Sequence, residues 1–329
     1  MKTKSPMYFI PLHVCQKVVD VAAVVKRVEE VYRWHSQGQV ILPDPEAMRF
    51  FYGPTSLKSH MKAVVLPALS VAGVRIVGYT VAEDGSGPSS PYSTRLILLM
   101  DSTTAEPIAL IDEHYNYTLR TAASVAVAAK YLHPERPLLG LVGAGGVARA
   151  LVRVFSKTLS LAGIYITSRR KISRERLVGE MQGETEYPIK AVDSIEEILA
   201  KCNLIVTATT TKSPLMEMSQ IRPGTLICTL GSFELTAEIY QKADKVLVDD
   251  WNQICKVQDM KAILQSGSFS RDRLYCELGE VVLGRKKGRE AEDEVIVVRT
   301  EGMAAQDVAI AHWTFQEAVR RGLAVKIAS

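Results

Sequence analysis

The sequence predicts an α/β protein in which a doubly wound parallel sheet is joined to a second, mixed α/β domain. With 329 residues, the chain is too long for one small domain and suits two. After residue 137, short apolar runs alternate with helix-like segments, as they do in parallel sheets that are covered by helices. A glycine-rich turn also separates the first of these runs from the helix that follows it.

The composition is that of an ordinary globular protein and excludes several other classes. Hydrophobic residues make up 47% and charged residues 23%, which excludes disordered, collagen-like and low-complexity chains. The formal net charge is only +4, and the basic stretch at 285–289 runs into an acidic one at 290–294, so we expect no nucleic-acid partner. No apolar run approaches the ~20 residues of a membrane span, and the first residues lack a signal-peptide core. We therefore expect no membrane partner and a cytoplasmic location.

The five cysteines predict a reducing environment and no metal site. They are far apart in the sequence and never form the CxxC spacing of zinc or redox motifs. Cys202 and Cys228 lie in apolar strand-like runs, where a small buried side chain is the simplest interpretation.

The first third of the chain combines helix and strand patterns. Valines at positions 21, 24, 25, 28 and 31 recur at helical spacing among charged residues, which predicts an amphipathic helix over 20–37. The apolar runs at 94–101 and 107–112 are joined by a short polar segment and predict a hairpin. Segment 83–92 has the composition of a loop, and we expect it to shape a pocket together with a second flexible segment at 43–54.

The rest of the chain alternates strands and helices, as a parallel sheet requires. The helix predicted at 114–132 is rich in small side chains, which allow close packing on a sheet or beside a ligand. Further helices are predicted at 147–161, 195–201 and 303–321, and strands at 138–142, 163–167, 203–208, 225–230, 245–248 and 294–299.

The glycine-rich turn has the form of a dinucleotide-binding fingerprint. Its GxGxxA spacing stands directly after a predicted strand and directly before a predicted helix. The first glycine permits the tight turn, the second lets the backbone approach a pyrophosphate, and the helix N-terminus offers N–H groups to the phosphates. The alternative is a fold in which the glycines serve the turn alone. The residues expected to contact the dinucleotide are Gly143, Ala144, Gly145, Gly146, Val147 and Ala148.

The end of the next strand indicates which nicotinamide cofactor binds. An acidic residue there would accept the 2′-hydroxyl of NAD, but this chain has Ser168, Arg169 and Arg170. These residues suit a 2′-phosphate, and one guanidinium can stack on the adenine. We therefore predict a preference for NADP(H), with NAD(H) possible. The alternative is that the arginines belong to a solvated helix start, because Arg174 and Arg176 continue the basic run.

Three further motifs resemble those of the ornithine cyclodeaminase/mu-crystallin family. They are RTAA at 120–123, LGEV at 278–281 and GMAAQD at 302–307, and the resemblance covers nearly the whole chain. Segments 242–251 and 288–290 look closest to the family's N-(2-amino-2-carboxyethyl)-glutamate dehydrogenase, an enzyme of 2,3-diaminopropionate synthesis. The resemblance implies a homodimer with two domains in each chain. One is a Rossmann-type NAD(P)-binding domain at 122–302, and the other is a substrate-binding and dimerisation domain at 1–121 with 303–329.

The resemblance also implies an NADP(H)-linked oxidoreductase that exchanges a hydride with the α-carbon of an imino or amino acid. It suggests a cyclic imino acid, such as a pyrroline or piperideine carboxylate, or an N-substituted amino acid of the 2,3-diaminopropionate type. One alternative is an ornithine cyclodeaminase, an ammonia-lyase that uses NAD without net redox change, and another is a nucleotide-binding non-enzyme like mu-crystallin. The cyclodeaminases carry an aspartate where this chain has Ser232 and Phe233, which argues against the first alternative.

Such a reaction needs groups that hold the α-carboxylate and protonate the imine nitrogen. The arginine fork donates two parallel charge-assisted bonds, and we assign Arg75, Arg120 and Arg49 to the carboxylate. Arg75 stands where the family usually has lysine, and a guanidinium does not release a proton as an amine does. Glu234 is the candidate proton donor, and Asp307 is expected to orient the nicotinamide or a substrate amine.

The remaining site residues follow from the resemblance. Met61 matches a methionine of the family's substrate pocket. Thr207, Ala208 and Thr209, with Gly231, are expected on the nicotinamide side of the cofactor site, because ligands bind at the carboxyl ends of such strands. Structural alternatives exist for the charged residues. Arg120 is then an ion-pair partner of the nearby acids at 112 and 113, and the acid at 307 stabilises the first turn of the last helix.

Overall fold

The structure, a computed structural model, describes residues 6–82 and 88–328. The chain divides into two compact units, of which unit 1 comprises Met1–Arg120 and Met303–Ser329, and unit 2 comprises Thr121–Gly302. Unit 2 is therefore continuous in sequence, whereas unit 1 is assembled from two separate segments.

The helices and strands of the described residues are numbered in chain order. The strands are β1 (Met7–Ile10), β2 (Ala47–Tyr52), β3 (Leu57–Leu66), β4 (Val71–Val81), β5 (Pro88–Asp101), β6 (Pro107–Asp112), β7 (Leu138–Val142), β8 (Gly163–Thr167), β9 (Ile189–Ala191), β10 (Leu204–Thr207), β11 (Leu226–Thr229), β12 (Lys245–Val248), β13 (Cys276–Glu277), β14 (Ile296–Arg299) and β15 (Val325–Ala328). The helices are α1 (Leu12–Val18), α2 (Val21–Ser36), α3 (Asn116–Leu132), α4 (Gly146–Thr158), α5 (Lys171–Met181), α6 (Ile195–Lys201), α7 (Ala237–Lys242), α8 (Trp251–Ile254), α9 (Gln258–Gln265), α10 (Leu278–Val282) and α11 (Ala304–Arg320).

Unit 1 is a seven-stranded sheet with the strand order β15-β1-β6-β5-β4-β3-β2. β1 and β6 are parallel, and the other neighbouring strands are antiparallel. α2 forms because its valines recur on one buried face, and Asp20 caps its first turn by accepting a 2.9 Å hydrogen bond from the backbone N–H of Ala23. α11 packs against α2 and against strands β3 to β6.

The close approach of α11 to β4 depends on Gly73. Every second residue of β4 from Val71 to Arg75 is buried, and Gly73 lies between these two on the same face. A Cβ atom at Gly73 would lie 2.6 Å from Cγ2 of Val308, which is nearer than real Cβ contacts allow. The glycine therefore lets β4 and α11 come together, and α11 carries Asp307 in its first turn.

Unit 2 is an eight-stranded parallel sheet with the strand order β13-β12-β14-β11-β10-β7-β8-β9. The strand order reverses at β7, because β8 and β9 extend to one side of it and β10 and β11 to the other. In open α/β sheets, the crevice at this reversal is where ligands bind. The observed sheet confirms the predicted α/β class and the doubly wound parallel arrangement.

Most predicted elements are confirmed, and two predicted loops are wrong. The helix at 20–37 is α2, and the hairpin is formed by β5 and β6. Within segment 43–54, residues 47–52 form β2, and within segment 83–92, residues 88–92 belong to β5, while residues 83–87 lie outside the described residues. β2 pairs with β3 and β5 pairs with β4, so ladder hydrogen bonds override a loop-like composition in both places.

The cysteines and helices of the described residues add two observations. All five cysteines are free thiols, and Cys202 and Cys228 are buried, as predicted. Burial raises the pKa of the Cys202 thiol to about 12. Across 6–82 and 88–328, no helix is both long enough and apolar enough to cross a bilayer.

We predict that Gly73→Ala lowers the free energy of unfolding by about 1–3 kcal/mol, because the added methyl group forces β4 and α11 apart. Urea denaturation followed by circular dichroism measures this loss. Gly78→Ala is the matched control on the same strand, since its Cβ would meet no atom nearer than 3.7 Å. Equal losses of stability in the two variants would contradict the packing described above.

Candidate functional site

The glycine-rich turn forms one side of a cleft in unit 2. β7 ends at Val142. Gly143 follows with a φ of +122°, a backbone conformation that residues other than glycine rarely adopt. A Cβ atom at Gly143 would also lie 2.4 Å from the carbonyl oxygen of Ala208. α4 begins at Gly146, and no side chain caps its first turn. The N–H groups at this end of α4 therefore remain available for an anion such as a phosphate.

The cleft has a volume of about 580 Å³ and lies at the carboxyl ends of β7, β8 and β10. Eight predicted cofactor residues line it, namely Gly143, Ala144, Gly145, Ser168, Arg169, Arg170, Ala208 and Thr209. The other five do not line it: Gly146, Val147 and Ala148 form the first turn of α4, and Thr207 and Gly231 bind the side chain of Glu234.

The basic residues lie at one end of this cleft. Arg169 and Arg170 are exposed and line it together with Ser168. Arg174 differs from them, because it is buried and donates a 2.9 Å hydrogen bond to the carbonyl oxygen of Ser168. Arg174 also pairs with Asp193, an acidic residue of the cleft that the sequence analysis missed. The basic run therefore has two roles. Arg174 holds the backbone at Ser168, and Arg169 and Arg170 line the cleft.

Glu234 is a buried hydrogen-bond acceptor. Its Oε1 accepts hydrogen bonds from the backbone N–H and the hydroxyl of Thr209, at 2.6 and 2.8 Å. Its Oε2 accepts hydrogen bonds of 2.7, 2.8 and 2.7 Å from the hydroxyls of Thr207 and Thr229 and from the N–H of Gly231. These donors engage both carboxylate oxygens, so the geometry does not favour a proton-donor role. Glu234 instead ties the ends of β10 and β11 to the loop at Thr209.

Unit 1 holds a buried group of four charged side chains, Arg75, Glu113, Arg120 and Asp307, which we call the arginine–carboxyl cluster. Nε of Arg75 donates a 2.6 Å hydrogen bond to Oε1 of Glu113 and lies 3.5 Å from Oδ2 of Asp307. Nε of Arg120 donates a 2.5 Å hydrogen bond to Oδ1 of Asp307. The structure thus brings together three predicted residues and adds Glu113, which the sequence analysis treated only as an ion-pair partner.

Four elements carry this cluster. Arg75 lies on β4, Glu113 follows β6 directly, Arg120 is in α3, and Asp307 is in the first turn of α11. The pairing of Arg120 with Asp307 joins segments that are 187 residues apart in sequence. Both carboxylate oxygens of Asp307 face guanidinium groups, so its structural role is to bind side chains of other elements.

Burial and mutual contact shift the pKa values of the cluster. Burial, followed by the nearness of Asp307, raises the pKa of Glu113. Burial also acts to raise the pKa of Asp307, but Arg120 and Arg75 outweigh it and lower this pKa. Burial acts to lower the pKa of Arg75, but the two acids outweigh it and raise this pKa. The cluster therefore contains two neighbouring acids with different affinities for a proton.

Two side chains of β3 lie beside Arg75. Lys62 is the cross-strand partner of Arg75 and is 8% exposed, and Nε2 of His60 lies 3.3 Å from Nη1 of Arg75. Burial, followed by Arg75, lowers the pKa of His60 to about 4. Lys62 was not among the predicted site residues, although strand alternation puts it on the same face as the buried Val64 and Leu66.

The two other predicted substrate residues, Arg49 and Met61, lie on the neighbouring strands β2 and β3. Arg49 is exposed on the edge strand β2, where its register partner is His60. Met61 is the register partner of Ile76, so it faces the opposite side of the sheet from Arg75. The strand register therefore contradicts the prediction that Met61 shares a site with Arg75.

Comparisons with known proteins agree with this architecture. The profile of the ornithine cyclodeaminase/mu-crystallin family matches residues 12–322. The chain is 25% identical to an alanine dehydrogenase of Archaeoglobus fulgidus over 318 residues, which is 95% of each chain. It is 26% identical to N-((2S)-2-amino-2-carboxyethyl)-L-glutamate dehydrogenase of Staphylococcus aureus over 258 residues, which is 77% of this chain and 76% of that protein.

A solved structure shows the same fold over nearly the full length. Thermococcus litoralis Δ1-pyrroline-2-carboxylate reductase, in complex with NADH and L-proline, superimposes with a TM-score of 0.90 at 23% identity. The match covers 98% of this chain and 100% of that chain. The matched residues 12–322 include the RTAA, LGEV and GMAAQD segments, and the match confirms the resemblance derived from them. The chain therefore belongs to the ornithine cyclodeaminase/mu-crystallin family.

Proposed function

We propose that this protein is an NAD(P)-dependent oxidoreductase that exchanges a hydride with the α-carbon of an imino or amino acid, and that it prefers NADP(H). The observation that carries the proposal is the buried pair Arg75 and Arg120, in a chain whose other unit contains a dinucleotide-type cleft. Family membership and the dehydrogenase and reductase names of the relatives support it. The proposed substrates are cyclic imino acids, such as pyrroline or piperideine carboxylates, and N-substituted amino acids of the 2,3-diaminopropionate type.

The residues of the unit 2 cleft fit a dinucleotide. A Cβ atom at Gly145 would meet no atom within 4 Å, and the first turn of α4 has no capping side chain, so a pyrophosphate has room and N–H donors at this turn. When bound, the nicotinamide ring supplies or accepts the hydride. The chain's own contribution is to hold the phosphates at this turn and to fix the loop at Thr209 through Glu234.

The preference for NADP(H) rests on the basic end of the cleft. Arg169 and Arg170 are exposed there beside Ser168, and together they offer charge and hydrogen-bond donors to a 2′-phosphate. The acidic group in the same cleft, Asp193, is paired with Arg174, which reduces its repulsion of a phosphate.

Arg75 is proposed to bind the carboxylate of the substrate. Its Nε donates to Glu113 and its Nη1 contacts His60, but its Nη2 makes no hydrogen bond within the part of the chain that the structure describes. Nη2 is therefore available to donate to a carboxylate oxygen. Lys62 replaces Glu234 as the proposed proton donor to the imine nitrogen, because an ammonium beside Arg75 releases a proton more readily than a guanidinium does.

We predict that Arg169→Ala removes a preference of at least tenfold for NADPH over NADH, a difference of about 1.4 kcal/mol, because the 2′-phosphate loses its guanidinium. Quenching of tryptophan fluorescence gives the dissociation constants of both cofactors. Arg176→Ala is the matched control, since Arg176 lies on α5, which begins just after Arg169 and Arg170, has a side chain that is 66% exposed, and pairs with Glu180 outside the cleft. If the wild type binds NADH as tightly as NADPH, the proposed preference for NADP(H) is wrong.

We predict that Arg75→Met raises the KM for Δ1-pyrroline-2-carboxylate by about 10- to 100-fold, because a charge-assisted hydrogen bond worth about 1.5–3 kcal/mol is lost. Arg75→Lys is expected to fall between this variant and the wild type, since it keeps the charge and loses the fork. The initial rate of NADPH oxidation measures the effect, and the dissociation constant of NADPH should not change. A wild-type protein that releases ammonia from ornithine and reduces no imine would instead support the cyclodeaminase alternative.

We also propose that the protein forms a homodimer through β2. This strand is an edge of the unit 1 sheet, and Met48, Phe50, Phe51 and Tyr52 are 64%, 47%, 62% and 56% exposed. An apolar edge strand with unpaired backbone groups favours pairing with another strand. A second copy of β2 satisfies this need in a symmetric, self-complementary interface.

We predict that Phe51→Lys converts the dimer into a monomer, because a charged side chain opposes burial of the β2 edge. Light scattering after size exclusion distinguishes twice the chain mass of 36.2 kDa from the single mass. Ile172→Lys, at a position that is 71% exposed on α5, is the control and should remain dimeric. A wild-type protein with the mass of one chain would rule out the homodimer.

A further inference from the structure

One buried acid of the arginine–carboxyl cluster has no role in the proposed function. Glu113 is 1% exposed and accepts a hydrogen bond from Nε of Arg75 through its Oε1. Its second oxygen, Oε2, is buried and receives no hydrogen bond from any residue that the structure describes. An ionised carboxylate oxygen without a donor is costly in a protein interior, so this oxygen needs an explanation.

The neighbouring carboxyl group of Asp307 supplies the explanation. Oδ2 of Asp307 lies 3.5 Å from Nε of Arg75, the same atom that donates a hydrogen bond to Oε1 of Glu113. Two ionised carboxylates that share one guanidinium in a protein interior repel each other, so a proton on one of them stabilises the pair. Asp307 faces two guanidinium groups, at 2.5 Å from Arg120 and 3.5 Å from Arg75, whereas Glu113 has a single donor. The proton therefore belongs on Glu113, whose Oε2 has no donor, and the opposite pKa shifts of the two acids agree with this.

We propose that Glu113 and Asp307 share one proton, carried by Glu113, and that this proton leaves Arg75 with a positive charge available for the carboxylate of the substrate. The inference rests on the proposed function, since it specifies the charge state of that same site. With Glu113 neutral, Arg75 loses the negative charge of its 2.6 Å partner and keeps the longer contact of 3.5 Å with Asp307. When Glu113 loses its proton, the cluster becomes neutral and its attraction for an anion weakens. Glu113 is thus a positioning residue that acts through Arg75.

Other charged or titratable groups act on the pair, on Arg75 or on the neighbouring His60, and the test must separate them from Glu113. They come from six elements: Arg49 of β2, His60 and Lys62 of β3, Arg75 of β4, Arg95 of β5, Tyr117 and Arg120 of α3, and Asp307 of α11. The arginines keep their charge, and burial with Arg75 keeps His60 neutral at neutral pH by lowering its pKa to about 4. Lys62 and Tyr117 are the remaining titratable side chains among these groups, and Glu113→Gln leaves both in place.

The experiment measures how the full-length protein binds pyrrole-2-carboxylate, an unreactive planar carboxylate, as the pH rises. We expect the wild-type dissociation constant to increase by about tenfold between about pH 7 and about pH 10, because the positive charge is lost with the proton of Glu113. Glutamine at position 113 copies the protonated acid, because it is uncharged and keeps a carbonyl oxygen for Arg75. In Glu113→Gln, the dissociation constant should therefore stay nearly constant over this range.

An infrared titration of the wild type gives a second readout that does not depend on the variant. The carbonyl band of a protonated carboxyl group should be present at neutral pH, disappear as the dissociation constant rises, and be absent from Glu113→Gln. The proposal is overturned if the wild type lacks this band at neutral pH, or if the variant shows the same alkaline loss of binding. Reduction of imino acids with a pH-independent KM would also overturn it while leaving the proposed function intact. The expected binding profile in a protein that reduces no imine would support the shared proton and remove the proposed function.

Discussion

The hydrogen bond between Asp307 and Arg120 joins two parts of unit 1 that are separated in sequence by the whole of unit 2. Through the same carboxylate, Asp307 also faces Arg75, so one side chain of α11 connects this helix to α3 and to β4. Breaking a buried ion pair by removing one partner typically costs about 3–5 kcal/mol, because the other charge is left without compensation. Gly73 makes the contact possible, since it lets α11 approach β4 closely enough for the charges to meet.

The two units use charge in different ways. In unit 2, the exposed Arg169 and Arg170 border an open cleft, where solvent weakens each interaction and several donors must act together. In unit 1, the arginines are buried and paired, so a change of one proton alters the electrostatic balance strongly. The first arrangement suits selection between two forms of a cofactor, and the second suits recognition of a small anion.

Features that depend on neighbours in sequence could be predicted, and those that depend on distant partners could not. The turn at Gly143 was predictable because a strand, a glycine spacing and a helix follow one another along the chain. The role of Glu234 was not, because its donors come from the ends of two strands and from a loop. Arg75 and Asp307 were found through motifs, yet the acid that pairs with Arg75, Glu113, has no local pattern that marks it. Met61 was grouped with the substrate residues from the resemblance, whereas the alternation of β3 places Lys62 on the face of Arg75.

The division of unit 1 into two sequence segments has a consequence for biosynthesis. The ribosome synthesises the chain from the N-terminus to the C-terminus, and domains generally fold as units while synthesis continues. Thr121–Gly302 is continuous, so unit 2 is complete before the last helix has been translated. Until α11 has been synthesised, the unit 1 sheet lacks this helix. The surface of β4 at Gly73 and the valine face of α2, which α11 covers in the native protein, are then exposed. The nascent chain therefore passes through a stage in which one half is native and the other exposes apolar surface, the condition in which chaperones bind.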